Sequence, residues 1–176
     1  FGEDACWYIY GGHRLWVSPE IDETYFPDNY PVDYKVSDNG ADFYQVYQEQ
    51  TGYKFTLSVK MGDDTKVELN HTVTNQSGKD KTFAPWAITV LNGGGGTEII
   101  ELNPSDNPLL PNQKMILWPY TNLSDSRLKF MKKFITLKQD PNITQNIKLG
   151  LDNKTKYAMY INNNQMFVKR FEYENG

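Results

Sequence analysis

Cysteine is nearly absent from this sequence: Cys6 stands alone among 176 residues. An intrachain disulfide is therefore impossible within it, and a cysteine-based zinc site is excluded. Histidine is scarce too, and with only His13 and His71 a histidine-rich metal site is ruled out. No apolar run approaches the ~18 residues of a membrane-spanning helix, so no membrane partner is expected. Neither sign of charge dominates. The 18 Lys and Arg against 22 Asp and Glu give a formal net charge of -4, so a basic nucleic-acid-binding surface is not expected. Helix signals are poor. The best is Asp125-Ser-Arg-Leu-Lys-Phe-Met131, about two turns with Ser124 or Asp125 as N-cap. The chain opens on Phe1 with no basic or apolar leader and stops at Gly176 straight after a strand-like run. It reads as a portion of a longer polypeptide, cut at both ends. A strand edge left open by such ends is expected to self-pair. The missing cysteine pairs slightly favour a cytoplasmic setting and are compatible with export.

Aromatic residues are plentiful, with 12 Tyr, 9 Phe and 4 Trp making up 14% of the chain. Many of them must sit in a core, a groove or both. The dominant period is two. Lys54–Lys60 places Phe55, Leu57 and Val59 on one face, and Lys66–Thr74 does the same with Val67, Leu69, His71 and Val73. Met61-Gly-Asp-Asp-Thr65 between them has the chemistry of a hairpin turn. Asn75–Asp80 is a second turn. Thr82–Leu91 follows as a strand in which Pro85, having no amide hydrogen, demands a bulge or an edge. Further strands are expected at Thr97–Leu102, Lys114–Trp118, Phe134–Leu137, Asn146–Gly150, Lys156–Ile161 and Gln165–Phe171, the last two joined by a tight turn at Asn162–Asn164. Many short strands separated by turn clusters predict an all-β antiparallel sandwich or barrel, with residues 1–176 forming a single domain.

Tyr10-Gly-Gly-His-Arg-Leu-Trp-Val-Ser-Pro-Glu20 is the first candidate site. His13 has the chemistry of a general acid or base. Arg14 offers a forked contact to oxyanions or hydroxyls, Trp16 a flat apolar face and Glu20 a hydroxyl contact. The plain alternative is a Gly-Gly turn beside a packed tryptophan and a buried histidine. Trp86 after Pro85, and Trp118-Pro119-Tyr120, are aromatics beside prolines near strand ends. They are candidate platforms for the C–H face of a sugar, or ordinary core. Leu91-Asn-Gly-Gly-Gly-Gly-Thr97 lacks the Lys-Ser/Thr ending of a phosphate loop and is read as a flexible hairpin loop beside a cleft. The five Asn-x-Ser/Thr triplets, at Asn70, Asn75, Asn122, Asn142 and Asn153, are weak signals in a chain this rich in Asn and Thr. His71, on an apolar strand face, is read as a core histidine, and Cys6 as a small buried hydrophobe.

The Tyr10–Glu20 motif, with His71-Thr-Val-Thr-Asn-Gln-Ser77, Phe83-Ala-Pro-Trp-Ala-Ile-Thr89, Leu110-Pro-Asn112, Ile116-Leu-Trp-Pro-Tyr120, Leu123-Ser-Asp125 and Phe167-Val-Lys-Arg-Phe171, resembles uncharacterised bacterial proteins related to aldose 1-epimerase (galactose mutarotase). The likeness spans nearly the whole chain. It implies a β-supersandwich with a carbohydrate bound in an open groove on one sheet. In mutarotases a histidine protonates the ring oxygen while a glutamate takes the anomeric proton. The resemblance aligns His13 with the first sugar-contacting histidine. The second histidine has no counterpart at Ala84-Pro85-Trp86-Ala87, and the base glutamate falls past Gly176.

The expected function is therefore carbohydrate binding of the aldose 1-epimerase type, with His13 as the acid–base group. Arg14, Trp16, Glu20, Trp86, Trp118, Tyr120 and Asp125 are the expected substrate contacts. No metal or organic cofactor is called for, and the oligomeric state is left open. The alternative is a non-catalytic sandwich module that binds a glycan or another protein. An enzyme requires a titratable pair about one sugar ring apart, whereas a module requires only the platform and hydrogen-bonding groups.

Overall fold

Alternating side chains build almost every regular element of this protein. The computed structural model describes residues 11–25, 29–105 and 107–174, so Cys6 and Tyr10 lie outside the described residues. The fold is all-β, with antiparallel pairing throughout the described strands. The chain divides into two compact units, residues 1–90 and 91–176.

In residues 1–90, strand β1 (Gly12–Ser18) pairs with β6 (Ala84–Val90) in a two-stranded ribbon. Strands β2 (Asp33–Ser37), β3 (Gly40–Tyr44), β4 (Tyr53–Met61) and β5 (Val67–Asn75) form a four-stranded sheet in that order. The expected β4–β5 hairpin is present. Its turn closes with the Gly62 amide donating to Lys66 O at 2.9 Å, and Asp64 takes the left-handed conformation. Pro85 sits opposite Val17 in the β1–β6 ribbon, and among the described residues no other strand pairs with β6. Strands β1, β2 and β3 were not anticipated from the sequence.

Cross-strand register places Phe55, Leu57 and Val59 of β4 on one face with Val73, His71 and Leu69 of β5 and with Phe43 and Ala41 of β3. The ribbon lies against this face. Val17 joins Tyr53 and Phe55 in a buried cluster, with Leu15, Val73 and Phe83 packed around it. The far half of the face is bare: Tyr34, Val36, Phe43, Met61, Val67 and Leu69 are all exposed.

In residues 91–176, β7 (Thr97–Glu101), β9 (Leu128–Phe130), β10 (Phe134–Lys138), β12 (Tyr157–Asn162) and β13 (Gln165–Arg170) form a sheet in the order β13-β12-β7-β10-β9. β8 (Met115–Leu117) pairs separately with β11 (Leu149–Leu151), which starts three residues after the expected Asn146. The β12–β13 turn is as expected, with Asn163 and Asn164 both at positive φ, the geometry of a type I′ hairpin.

Two expected elements are replaced by others. The Asp125–Met131 helix does not form. The Asp125 carboxylate accepts the Arg127 amide at 2.9 Å, closing a turn, and Leu128–Phe130 then becomes β9 against β10. Leu128 is buried there, so tertiary pairing overrides a weak helical signal. The glycine run is not a hairpin loop either. β6 pairs with β1 while β7 pairs with β10 and β12, so the run links strands of different sheets. Nor is it loose. The amides of Gly94 and Gly95, both at positive φ, donate to Gln139 Oε1 at 2.7 and 2.8 Å. Tyr160 Oη donates to Asn92 O at 2.6 Å.

Candidate functional site

Successive residues of a strand point to opposite faces, and this sorts the Gly-Gly-His-Arg-Leu-Trp motif. His13, Leu15 and Val17 face the four-stranded sheet, and Arg14 and Trp16 turn the other way. Directly across the ribbon, His13 pairs with Thr89, Arg14 with Ile88 and Trp16 with Trp86.

On the outward face, the Trp16 and Trp86 rings stack at 5.6 Å between centroids, 20° from parallel. The Arg14 guanidinium lies 4.7 Å from the Trp16 ring centroid, a cation–π arrangement. Tyr25 meets Trp16 edge-on at 5.3 Å and donates its hydroxyl hydrogen to Glu20. Tyr25 is delivered by a 3-10 turn, Asp22–Tyr25, which the Thr24 hydroxyl braces by donating to Ile21 O at 2.6 Å. The Trp16 indole Nε1 donates to Thr24 O at 2.6 Å. Five of the expected site residues, His13, Arg14, Trp16, Glu20 and Trp86, thus gather on or beside one ribbon.

On the inward face, His13 Nδ1 lies 2.9 Å from Thr89 Oγ1, and His13 Nε2 lies 2.8 Å from His71 Nε2. The two rings sit 4.8 Å apart and tilted by 45°. Two imidazole nitrogens at that distance share one proton, one donating and the other accepting. Sequence reasoning set His71 aside as core. That reading rested on its place among the apolar residues of β5, and the same place turns it toward the ribbon and His13. Among the described residues no group of three or more His, Cys, Asp or Glu is disposed to hold a metal.

A recess beside the ribbon is lined by Arg14, Trp16, Thr24, Gln48, Thr51 and Phe55, among others. Its volume is about 10 Å³. That is room for roughly one water and not for a sugar ring.

The other three expected residues lie in residues 91–176. Trp118 carries the Lys148 ammonium 4.3 Å from its ring centroid. Tyr120 is exposed. Both oxygens of the Asp125 carboxylate are taken by Arg127, Nε donating to Oδ1 at 3.0 Å and Nη2 to Oδ2 at 2.8 Å. These side-chain hydrogen bonds, with that from the Arg127 amide, hold the Asp125 pKa down at about 2. In the same unit the cross-strand register puts Glu98 of β7 and Lys169 of β13 on one face of the five-stranded sheet, with β12 between them. Burial pushes the Glu98 carboxyl up, and the positive charge of Lys169 opposes that shift. Burial also pushes the Lys169 ammonium down. Sequence reasoning passed over both, because an isolated charge in an alternating strand looks like a solvated face.

Set against known protein families, curated proteins and solved structures, the chain matches none of them.

Proposed function

We propose that this chain binds a carbohydrate on the outward face of the β1–β6 ribbon and does so without turning it over. The stacked Trp16–Trp86 pair supports the apolar side of the reading. Indole faces suit the C–H groups of a sugar ring, and Arg14 and Glu20 supply hydrogen bonds to hydroxyls. The observation that carries the reading is the division of faces along β1. The only histidine pair lies on the side facing the sheet, and the aromatic platform lies on the other. A sugar resting on Trp86 would not meet His13. An epimerase needs its acid–base groups on either side of one ring, and His13 and His71 instead touch each other.

The second reading is aldose 1-epimerase-like chemistry at the histidine pair. It is favoured by the Thr89 contact, which orients the His13 ring as a catalytic imidazole would require.

Calorimetric titration with a panel of free and phosphorylated sugars tests both. Binding that is lost in Trp86→Ala and kept in His13→Ala, with no anomer interconversion by polarimetry, is the expected result. Turnover abolished by His13→Ala would establish the second reading. No binding to any sugar would remove both.

A further inference from the structure

Hydrogen bonds around buried Asn103 gather three loops at one end of the five-stranded sheet. Register sets that end: Phe134 of β10 faces Glu101 of β7, and the Leu102 amide donates to Lys133 O at 2.8 Å. Asn103 follows. Its Oδ1 accepts the Lys154 amide at 2.8 Å, and its Nδ2 donates to Asp152 O at 2.6 Å. Its carbonyl accepts from Gln113 Nε2 at 2.7 Å and from Asn112 Nδ2 at 2.9 Å. The β9–β10 turn, the chain between β11 and β12 and the chain between β7 and β8 therefore emerge together.

The last of these has the build of an Ω-loop, with its ends pinned and its tip braced. Asn107 does the bracing. Its carbonyl accepts from the Ser105 hydroxyl at 2.7 Å, and its Oδ1 accepts the Leu109 amide at 2.9 Å. The tip held out is apolar, Pro108-Leu-Leu-Pro111, with Leu109 87% and Leu110 64% exposed. Single exposed leucines are ordinary, but a pair at a braced tip beside a second apolar turn makes a patch of the kind that marks an interface. That second turn is β9–β10, closed by the Met131 amide donating to Phe134 O at 2.8 Å. Phe130 and Met131 are exposed there, with exposed Lys132 and Lys133 at its corner. Lys114 and Lys154 are exposed at the same end, Lys114 O accepting the Asp152 amide. Most acids at this end are engaged. Glu101 and Asp152 accept the Tyr157 and Tyr173 hydroxyls, and Glu172 pairs with Lys156 at 2.8 Å. Exposed Glu174 follows, and Asp106 lies outside the described residues.

We propose that this end of residues 91–176 seats on an anionic lipid surface, with the leucine tip entering the boundary between headgroups and acyl chains and the lysines meeting the headgroup anions. The mixture of side chains favours lipid over other partners. A nucleic-acid backbone would suit the lysines and leave Leu109 and Leu110 in water. A protein groove would suit the leucines and make no use of four lysines behind them. A bilayer interface takes apolar side chains ~5–10 Å deep with basic groups at headgroup level. Bracing of the tip keeps the ordering lost on contact small. The whole chain carries -4, so the attraction is local to this end. Among the described residues no helix is long and apolar enough to cross a membrane, and a surface contact requires none.

Co-flotation with vesicles tests the proposal. The 176-residue chain is expected to float with vesicles of phosphatidylcholine mixed with phosphatidylserine, and not with pure phosphatidylcholine. Release is expected as salt approaches ~1 M, where the Debye length falls to ~3 Å. Leu109→Asn with Leu110→Asn should weaken binding more than about tenfold. Lys132→Gln with Lys133→Gln should weaken it about thirtyfold. Both pairs should keep the far-ultraviolet spectrum of the parent, because the bracing bonds use backbone groups and Asn107. Val36→Asn, at an exposed position in residues 1–90, should bind as the parent does. With Cys6→Ser as background, an environment-sensitive fluorophore on Leu109→Cys should brighten and shift to shorter wavelength on the mixed vesicles. No flotation with the mixed vesicles would overturn the proposal. So would equal flotation with pure phosphatidylcholine, binding unchanged by the leucine pair, equal loss in Val36→Asn, or a fluorophore that stays in water. Self-association abolished by the leucine pair, without flotation, would assign the tip to a protein partner and overturn it too.

Discussion

In residues 1–90 the best-buried hydrophobic side chains are Val17, Tyr53 and Phe55, an apolar cluster between a ribbon and a sheet. In residues 91–176 Leu128 and Ile135 are equally buried, but much of the irregular chain is tied by side-chain amides. Buried Asn103 is the clearest case. Its Nδ2 donates to Asp152 O at 2.6 Å, its Oδ1 accepts the Lys154 amide at 2.8 Å, and its carbonyl accepts from Gln113 Nε2 at 2.7 Å and Asn112 Nδ2 at 2.9 Å. Gln139 does similar work for the glycine run. One chain thus holds its sheets by two means. Apolar contact is tolerant of direction and follows simple alternation. Amide ties are directional and join residues far apart in sequence.

The sharpest way to break this contrast is Phe55→Ala. A cavity in the apolar cluster is expected to cost about 3–5 kcal/mol. Segment-resolved hydrogen exchange should show the loss in β1, β4 and β5 and spare β7 and β10. Equal loss in both units would sink the contrast. Asn103→Ala is the matching test in residues 91–176. It strands the Lys154 amide and the Asp152 carbonyl, at a cost of about 3 kcal/mol in denaturant titration. Asn103→Leu, which keeps the volume and lacks the bonds, should not recover it. Recovery would mean that packing, not hydrogen bonding, is what Asn103 supplies.

A smaller effect is expected at Gly96. A Cβ there would run into the Tyr160 hydroxyl, so Gly96→Ala should displace that ring from Asn92 O and cost about 2 kcal/mol. The glycine run would then exchange faster than β7 behind it, and unchanged exchange would show that the tie is not structural. The smallest effect concerns acid. Asp125 in the folded chain titrates at about 2, below its ordinary value of 3.8. Its pairing with Arg127 thus adds stability above about pH 4, and that stability drains away as the pH falls toward 2. Asp125→Asn should flatten the stability curve across that interval and leave it parallel to the parent's above it.

The two regions also differ in how far they could be read in advance. The β4–β5 hairpin and the Asn163–Asn164 turn were legible because alternation and turn chemistry are local. The ribbon was not, since Gly12–Ser18 shows no clean alternation and its partner β6 lies some seventy residues away. The gathering of His13, Arg14, Trp16, Glu20 and Trp86 was legible as residue types but not as geometry. Neither the contact of His13 with His71 nor the division of β1 into a histidine face and a tryptophan face follows from spacing until the strand is placed. Asp125–Met131 shows the reverse failure. A helical pattern was present, but an Asx turn and the pairing of Leu128–Phe130 with β10 decided the outcome.

The sequence by itself determined the class of this protein. With few helix signals, one cysteine and period-two alternation between turn clusters, an antiparallel all-β chain without disulfides was the available solution. Tertiary structure alone decided which strands are neighbours and which side of β1 carries which chemistry. The physical reason is range. Propensity and turn geometry act over a few residues, whereas hydrogen-bond partners and burial are set by elements that meet only after the chain has folded.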